Sequence, residues 1–464
     1  MQYFQEQSII FGTCPNKINF FYLLTNGISV QNSKFNNPGN KKPVSKTTIT
    51  RIRETGKFFK LTSLLLILCF SEPVHAQYFG FKINSGKKSI RLDYDIYNNL
   101  VVIPVKVNNV IPLKFVMDTG VRSTIITDKV ITDMLNLPYT RKIVINGPGD
   151  YNQLQAWVVS QVGLYLDGIT GYDQTILVLE DDYLKLRNVL GVEVHGMIGY
   201  DIFNRFVMGF DFPGKSVNMI EPRKFIPPRG YDVLPLLVED TKPYIWATVC
   251  IHDTTHIRVK LMIDTGASHS LLLKANPALG IKVPTANIHD EIGRGLGGVI
   301  EGSLAQINSL SFGKYTFHDV VASFPDPSSY PDSLSDAERN GTIGGEILSR
   351  FNVYFDYRHG KIYLRKNQNF HKKFGYNMSG LTITAEGQEL NSYRIASVRD
   401  HSPAAEADIR PGDILLSLQG YGKKDLDLND IYKIFNFDTN RTVTLTIDRN
   451  GTILKKQFLL KNML

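Results

Sequence analysis

The tripeptide Asp-Thr-Gly occurs twice, at 118–120 and 264–266, each time closing an apolar run, and its surroundings are repeated with it. Average residue usage gives one such tripeptide roughly once in several thousand positions, so a single copy would mean little. The repeated context is what constrains the chain. Residues 113–127 read L-K-F-V-M-D-T-G-V-R-S-T-I-I-T and residues 259–273 read V-K-L-M-I-D-T-G-A-S-H-S-L-L-L, an offset of 146. Further on, M-I-G-Y-D-I-F-N-R-F at 197–206 answers T-I-G-G-E-I-L-S-R-F at 342–351, an offset of 145. Both copies then run into a strand pattern carrying Asp211 or Asp356, followed by Gly-Lys. Such a chain has to fold as two like halves, each presenting one carboxylate.

Within each half the local signals are those of strands. Residues 100–107 and 111–117 alternate apolar side chains around Asn108-Asn109, a hairpin signature. Residues 244–251 and 257–263 do the same around Asp253-Thr254-Thr255, so both hairpins deliver the aspartate at the end of their second strand. Helical signal is scarce, with short helices expected at 180–188 and 345–351. A mainly β body of two barrel-like lobes follows, spanning 90–222 and 230–366. Pro222, Pro227, Pro228 and Gly230 mark the connection between them. The Pro-, Ser- and Asp-rich stretch 324–341 reads as a surface loop of the second lobe, and polar residues 366–376 read as a linker to a third unit.

Two carboxylates brought close together cannot both ionise readily, so one keeps a proton while the other stays charged. Such a pair titrates as a unit. The ionised member can take a proton from water while the protonated member polarises a carbonyl. Gly120 and Gly266 let the backbone turn beneath the carboxylates. Thr119 and Thr265 carry hydroxyls able to hydrogen-bond across the lobe interface. The competing reading, in which each Asp only caps its own turn, explains neither the duplication nor the paired Ile-Gly elements.

Over residues 98–365 the chain resembles a retropepsin-like aspartic protease whose two lobes are fused in tandem. The resemblance implies a peptide bond cleaved by water, with Asp118 and Asp264 as the catalytic pair and no metal or other cofactor. Thr119, Gly120, Thr265, Gly266 and Ala267 are then loop support, and Ile198-Gly199 and Ile343-Gly344 the elements packed behind each active-site loop. The second lobe fits the family better, because Val121 and Arg122 replace the small residues expected after Gly120. Arg122 is expected to face solvent. Proteases of this kind cover the cleft with Gly-rich hairpins. The candidate in the second lobe is 293–298, with Gly295, Gly297 and Gly298 at its tip; the first lobe offers only the weaker 146–149. The former matches G-x-G-x-x-G, but 299–307 alternates like a strand, so it does not open the helix a dinucleotide site needs. His252 and His256 flank a strand turn with no third ligand, and are read as exposed turn residues.

From about residue 378 the pattern changes. S-P-A-A-E-A-D-I-R-P-G-D-I-L at 402–415 resembles the helix-turn-strand core of a bacterial PDZ domain, a small α/β unit spanning 377–464. A helix at 429–435 and strands at 442–448 and 455–460 complete it. Asp408 stands where the family has Gly, and Asp tolerates a left-handed cap. The resemblance makes Ser379, Gly380, Leu381 and Thr382 the loop whose N–H groups hold a peptide C-terminus, with the peptide adding a strand along 381–385. The alternative is a PDZ unit that only packs on the body.

Residues 1–76 hold nine Lys/Arg against three Asp/Glu, which leaves 43 basic and 41 acidic residues beyond them. Of the net charge of +8, the leader therefore carries +6 (9 − 3), so the basicity belongs mainly to it and implies no nucleic-acid surface. Lys57 and Lys60, the apolar run 61–70 and Val74-His75-Ala76 read as a signal peptide over 57–76, cut after Ala76. Residues 1–56 are an extension, either a mis-assigned start or a disordered lead-in. Cys14 and Cys69 precede the cut, so only Cys250 remains in the mature chain, and it is expected in the core. The expectation is a secreted, periplasmic or envelope-located monomer, touching a membrane only through an uncleaved leader. The other class of function is an inactive peptide-binding adaptor.

Overall fold

A computed structural model describes residues 80–464 except 85, 151–152, 253, 331–337 and 437–438, and all of these residues fall in one compact unit. The signal-peptide reading over 57–76, and Cys14 and Cys69 with it, lie outside the described residues.

Among the described residues the first lobe is one nine-stranded sheet and the second an eight-stranded sheet. Their order repeats because the hairpins repeat. Leu100–Val107 pairs antiparallel with Ile111–Met117, and Asn108 and Asn109 sit at φ +47° and +57° in the turn, a conformation Asn tolerates better than most residues. In the second lobe Lys242–Cys250 pairs with His256–Ile263 in the same way. Cys250 is buried there, as its apolar strand implies. His252 and His256 are exposed at the turn.

A six-stranded sheet joins the lobes, each contributing three strands: Ser89–Asp93, Val207–Asp211 and Ser216–Ile220 from the first, Asp232–Pro235, Phe351–Asp356 and Lys361–Lys366 from the second. Val207–Asp211 and Phe351–Asp356 meet antiparallel at its centre, Met208 facing Phe355 and Asp211 facing Asn352. Phe203, Phe210 and Phe355 fill the space against it, with ring centroids 5.8–6.1 Å apart. One apolar core therefore runs through both lobes. Gly80–Ile83 also belongs to the first-lobe sheet, upstream of the boundary expected at residue 90, because it pairs with Ile169–Leu179 and forms the sheet's edge there.

Behind each Asp-Thr-Gly turn, a three-residue strand enters the sheet. Gly196–Ile198 runs parallel to Ile111–Met117 and antiparallel to Ile125–Ile126; Gly341–Ile343 does likewise against His256–Ile263 and Leu271–Leu273. Gly199 and Gly344 follow, and neither position has room for a side chain. A Cβ on Gly199 would stand 2.3 Å from Asp118 O, and one on Gly344 2.2 Å from His269 O.

Helices are shorter than expected. The stretch read as helical over 180–188 forms a helix only at Leu186–Leu190, since Lys185 takes φ +49° and Asp182 Oδ1 accepts its N–H at 2.9 Å, which diverts the chain. Gly345–Leu348 is helical, but Phe351 already begins a strand. The expected surface loop 324–341 turns inward at both ends, burying Tyr330 and Arg339.

The third unit is a six-stranded sheet of its own, with a separate apolar core and the helices Pro403–Glu406 and Leu428–Asn436. Ser402 caps the first helix through Ala405 N at 3.3 Å. Asp408 adopts φ +53° and is tied to Arg410, Arg449 and Lys456, which explains how Asp replaces the Gly of this turn. The linker is not loose. Buried Arg350 donates to the carbonyls of Phe370, Lys372 and Lys373, and its guanidinium lies 3.8 Å from the centroid of the Phe374 ring. Glu346 accepts from Arg350 at 3.3 Å.

Two outcomes follow from these contacts. Gly344→Ala or Gly199→Ala should cost about 1–3 kcal/mol or more, read as a lower urea midpoint, because the added methyl meets backbone rather than a movable side chain. Burial holds the Glu346 carboxyl up at about 7 although Arg350 pulls the other way. The native state thus keeps a proton that the unfolded chain has given up, so stability falls as pH rises from about 4.5 to about 7. Glu346→Gln should flatten that slope in pH-dependent urea titrations, and an unchanged slope assigns it to other groups.

Candidate active site

Asp118 and Asp264 sit at the first residue after their strands, where strand pairing ends and the chain turns. Each N–H donates to the carbonyl of the Ile behind it, Asp118 N to Ile198 O and Asp264 N to Ile343 O, both at 2.9 Å. Each carboxylate then accepts from the Gly two residues on: Gly120 N at 2.6 Å and Gly266 N at 2.9 Å. Glycine is needed because the two loops cross. A Cβ on Gly266 would lie 2.2 Å from Asp118 Cγ, and one on Gly120 would lie 3.1 Å from Asp264 Oδ2.

The threonines lock the crossing. Thr119 N donates to Thr265 Oγ1 at 3.1 Å while Thr119 Oγ1 donates to Ile263 O at 2.7 Å. Thr265 N donates to Thr119 Oγ1 at 3.0 Å and Thr265 Oγ1 to Met117 O at 2.7 Å. All four bonds are buried, and each hydroxyl both donates and accepts between lobes. Ala267 O takes Gly345 N at 2.6 Å, closing the second loop onto its Gly-Gly turn.

The two carboxyls face the same point: a Cβ on Gly120 would lie 3.0 Å from Asp118 Oδ1 and 3.1 Å from Asp264 Oδ2. Burial raises both, and the neighbouring Asp264 charge raises Asp118 further. Arg339 opposes the rise on Asp264. The pair therefore titrates as a unit, and the one cation acting on it works on the Asp264 side.

Three residues near the pair escaped the sequence reading. Arg339 is buried, held by Thr342 Oγ1 at 2.5 Å and Gly341 O at 3.3 Å. Tyr357 is buried with its hydroxyl unpartnered among the described residues and sits in the field of both aspartates, which together with burial raises it well above the usual phenol range. His269, beside the second loop, is lowered to about 4 by burial and by Arg339, so it stays neutral at physiological pH. A signal did exist: the 145-residue offset aligns Arg339 with Val194 and Tyr357 with Phe212, so the polar groups break the repeat. Their neighbours keep it. His195 Nδ1 accepts Lys114 N at 3.0 Å, and its counterpart Asn340 Oδ1 accepts Lys260 N at 2.8 Å. Of the first-lobe departures, Val121 is buried and Arg122 is exposed, its guanidinium 3.6 Å from Asp240.

Gly295, Gly297 and Gly298 form the tip between strands Ile288–Gly295 and Gly298–Phe312. The weaker first-lobe candidate also proves to be a hairpin tip, between Tyr139–Asn146 and Gln153–Leu166. The tips meet: Gly297 N donates to Pro148 O at 2.9 Å, and a Cβ on Gly295 would stand 2.3 Å from the same oxygen. Leu296 packs onto the first-lobe apolar cluster that includes Val121.

In the third unit, the N–H groups of the candidate carboxylate loop are already engaged. Ser379 N and Gly380 N lie 3.1 and 3.3 Å from Asn377 Oδ1, and Leu381 N lies 3.1 Å from Ser379 Oγ. Thr382 lies in the strand Leu381–Glu386, paired with Ser397. Among the described residues no three His, Cys, Asp or Glu side chains gather as metal ligands.

Comparisons with known proteins agree with this architecture. Residues 103–202 and 247–347 match the aspartyl protease family model, and residues 375–458 match the PDZ domain model. Among solved structures the chain is similar to an aspartic proteinase from Irpex lacteus, at 13% identity over 61% of this chain and 99% of that one, TM-score 0.39. It is also similar to a photosystem II D1 C-terminal processing protease, at 23% identity over 18% of this chain and 22% of that one, TM-score 0.17. A search of the curated proteins gives no match. The chain consists of two aspartyl protease-like domains in tandem followed by a C-terminal PDZ domain.

Proposed function

We propose that this protein is an aspartic endopeptidase whose catalytic residues are Asp118 and Asp264. The observation that carries the reading is the convergence of two carboxyls, buried Asp118 and half-buried Asp264, on the same glycine, one from each lobe, held by the reciprocal threonine bonds. Asp264, ionised under the influence of Arg339, takes a proton from a water in the cleft while Asp118 donates its proton to the scissile carbonyl oxygen. The water oxygen bonds to the carbonyl carbon and a gem-diol forms. Asp264 then passes its proton to the amide nitrogen, the C–N bond breaks, and Asp118 recovers a proton from the diol as the carboxylic acid is released. Burial and preorganised N–H groups from Gly120 and Gly266 limit the reorganisation each step requires.

The substrate is a peptide or protein, admitted when the glycine-tipped hairpins part. One chain carries both aspartates, so a monomer suffices. The leader reading gives a secreted or envelope location, and the PDZ domain serves peptide C-termini or access to the cleft.

Digestion of a peptide library by the full chain tests the assignment. Asp118→Asn and Asp264→Asn should each lower cleavage by about 10²–10⁴-fold or more while far-UV circular dichroism and the urea midpoint stay near wild type. Because both carboxyls are raised, the pH profile should be bell-shaped, with its alkaline limb above the ordinary carboxylate range as Asp118 loses its proton. Cleavage retained in both single variants overturns the assignment.

A further inference from the structure

We propose that the PDZ domain is an intramolecular latch: its peptide groove is occupied by this chain's own protease body and, through Arg399, holds the second-lobe flap closed. The latch adds regulation to the protease reading, and the part of it that concerns turnover rests on that reading.

The flap has to move. With Gly297 N bonded to Pro148 O and no space for a Cβ at Gly295 or Gly149, the two hairpin tips interlock, and Leu296 rests on the cluster that includes Val121, the residue next to the first Asp-Thr-Gly turn. An extended peptide cannot thread a cleft closed in this way, so its entry requires the strand Ile288–Gly295 to lift. That strand also carries the contact with the PDZ domain. Asp290 Oδ2 lies 2.7 Å from Arg399 Nη1, and the two side chains are 18% and 4% exposed. A desolvated ion pair resists separation, because parting it leaves a buried charge without a partner. Arg399 belongs to the carboxylate loop region: its N–H donates to Gly380 O and its guanidinium to Asn377 O.

The groove itself is taken. In PDZ domains a peptide adds to the free edge of the strand that follows the carboxylate loop. Here that edge belongs to Leu381–Glu386, an end strand of its sheet, and its outward groups already have partners from this chain. Ile383 N donates at 2.9 Å to Tyr432 Oη of the domain's own helix Leu428–Asn436, and Tyr432 Oη donates back to Ile383 O at 3.2 Å, while the protease body supplies the rest. Ala385 O accepts Asn188 Nδ2 at 2.8 Å from the first-lobe helix Leu186–Leu190, and Arg187 Nη2 reaches Gln388 O at 2.8 Å. The PDZ domain thus bridges the first-lobe helix and the second-lobe flap. The Arg350 clamp on the linker fixes it there.

Hydrogen–deuterium exchange on the full chain tests the latch without reference to catalysis. Asp290→Asn and Arg399→Met should each raise the exchange rate of the 288–298 amides by about tenfold or more, while the central strand Val207–Asp211 stays protected. The double variant Asp290→Asn/Arg399→Met should exchange no faster than the faster single variant, since both remove one interaction. Unchanged flap exchange in variants that keep the wild-type protection of Val207–Asp211 overturns the latch, whatever their activity. In the peptide digest, Asp290→Asn should cleave faster than wild type. Faster flap exchange with no cleavage by any form, wild type included, leaves the latch standing and removes the protease reading. Slower cleavage alongside faster exchange overturns the regulatory part.

Discussion

The structure depends on the exchange of hydrogen bonds between Thr119 and Thr265. Each hydroxyl gives its proton to a carbonyl of the opposite lobe, Ile263 O or Met117 O, and takes the N–H of the opposite threonine. A typical buried hydrogen bond contributes only about 0.5–1.5 kcal/mol net. These four weigh more on geometry than on their sum. Moving either lobe orphans four donors and four acceptors away from water, two of each on either side, so the lobes have one register and the carboxyls one separation. The six-stranded interlobe sheet then fixes the same register from below, through the pairing of Met208 with Phe355.

On this nearly symmetric frame the charges are not symmetric. Where the first lobe has Val194 the second has buried Arg339, and where the first has Phe212 the second has Tyr357. A cation near only one carboxyl favours the ionised form there and leaves the proton on the other. Equivalent main-chain positions therefore hold chemically distinct aspartates. The difference between the two carboxyl surroundings comes from Arg339, a break in the repeat, rather than from the Asp-Thr-Gly turns themselves.

Closure over the site has its own logic. Both hairpin tips are glycine-rich because they pass within backbone contact of one another, and Leu296 rests on first-lobe apolar side chains. The PDZ domain packs beside the same flap, with buried Arg399 and Asp290 at the junction. A domain usually pictured as an appended receptor is here continuous with the wall of the cleft.

Much of this was legible in the residues. The duplicated turns, the Asn-Asn hairpin and the Ile-Gly elements have local causes: positive φ, alternating burial, and close approach that only glycine permits. Asp408 could be read as a left-handed cap for the same reason, and takes φ +53°. The helix over 180–188 was overread because Lys185 adopts an unfavourable φ that its surroundings impose. The inward return of Arg339 was hidden in a stretch whose composition resembles a surface loop, and the first-lobe flap had too weak a glycine signal until its partner tip was in place. By itself the sequence determined that there are two like halves, each offering an aspartate on a strand-end turn, because those features rest on short-range pattern. Only the tertiary structure decided that Arg339 returns beside the aspartates, that the hairpin tips meet, and that Arg399 of the PDZ domain pairs with Asp290 of the second lobe. Those depend on charges and surfaces far apart in the chain, and no local period records them.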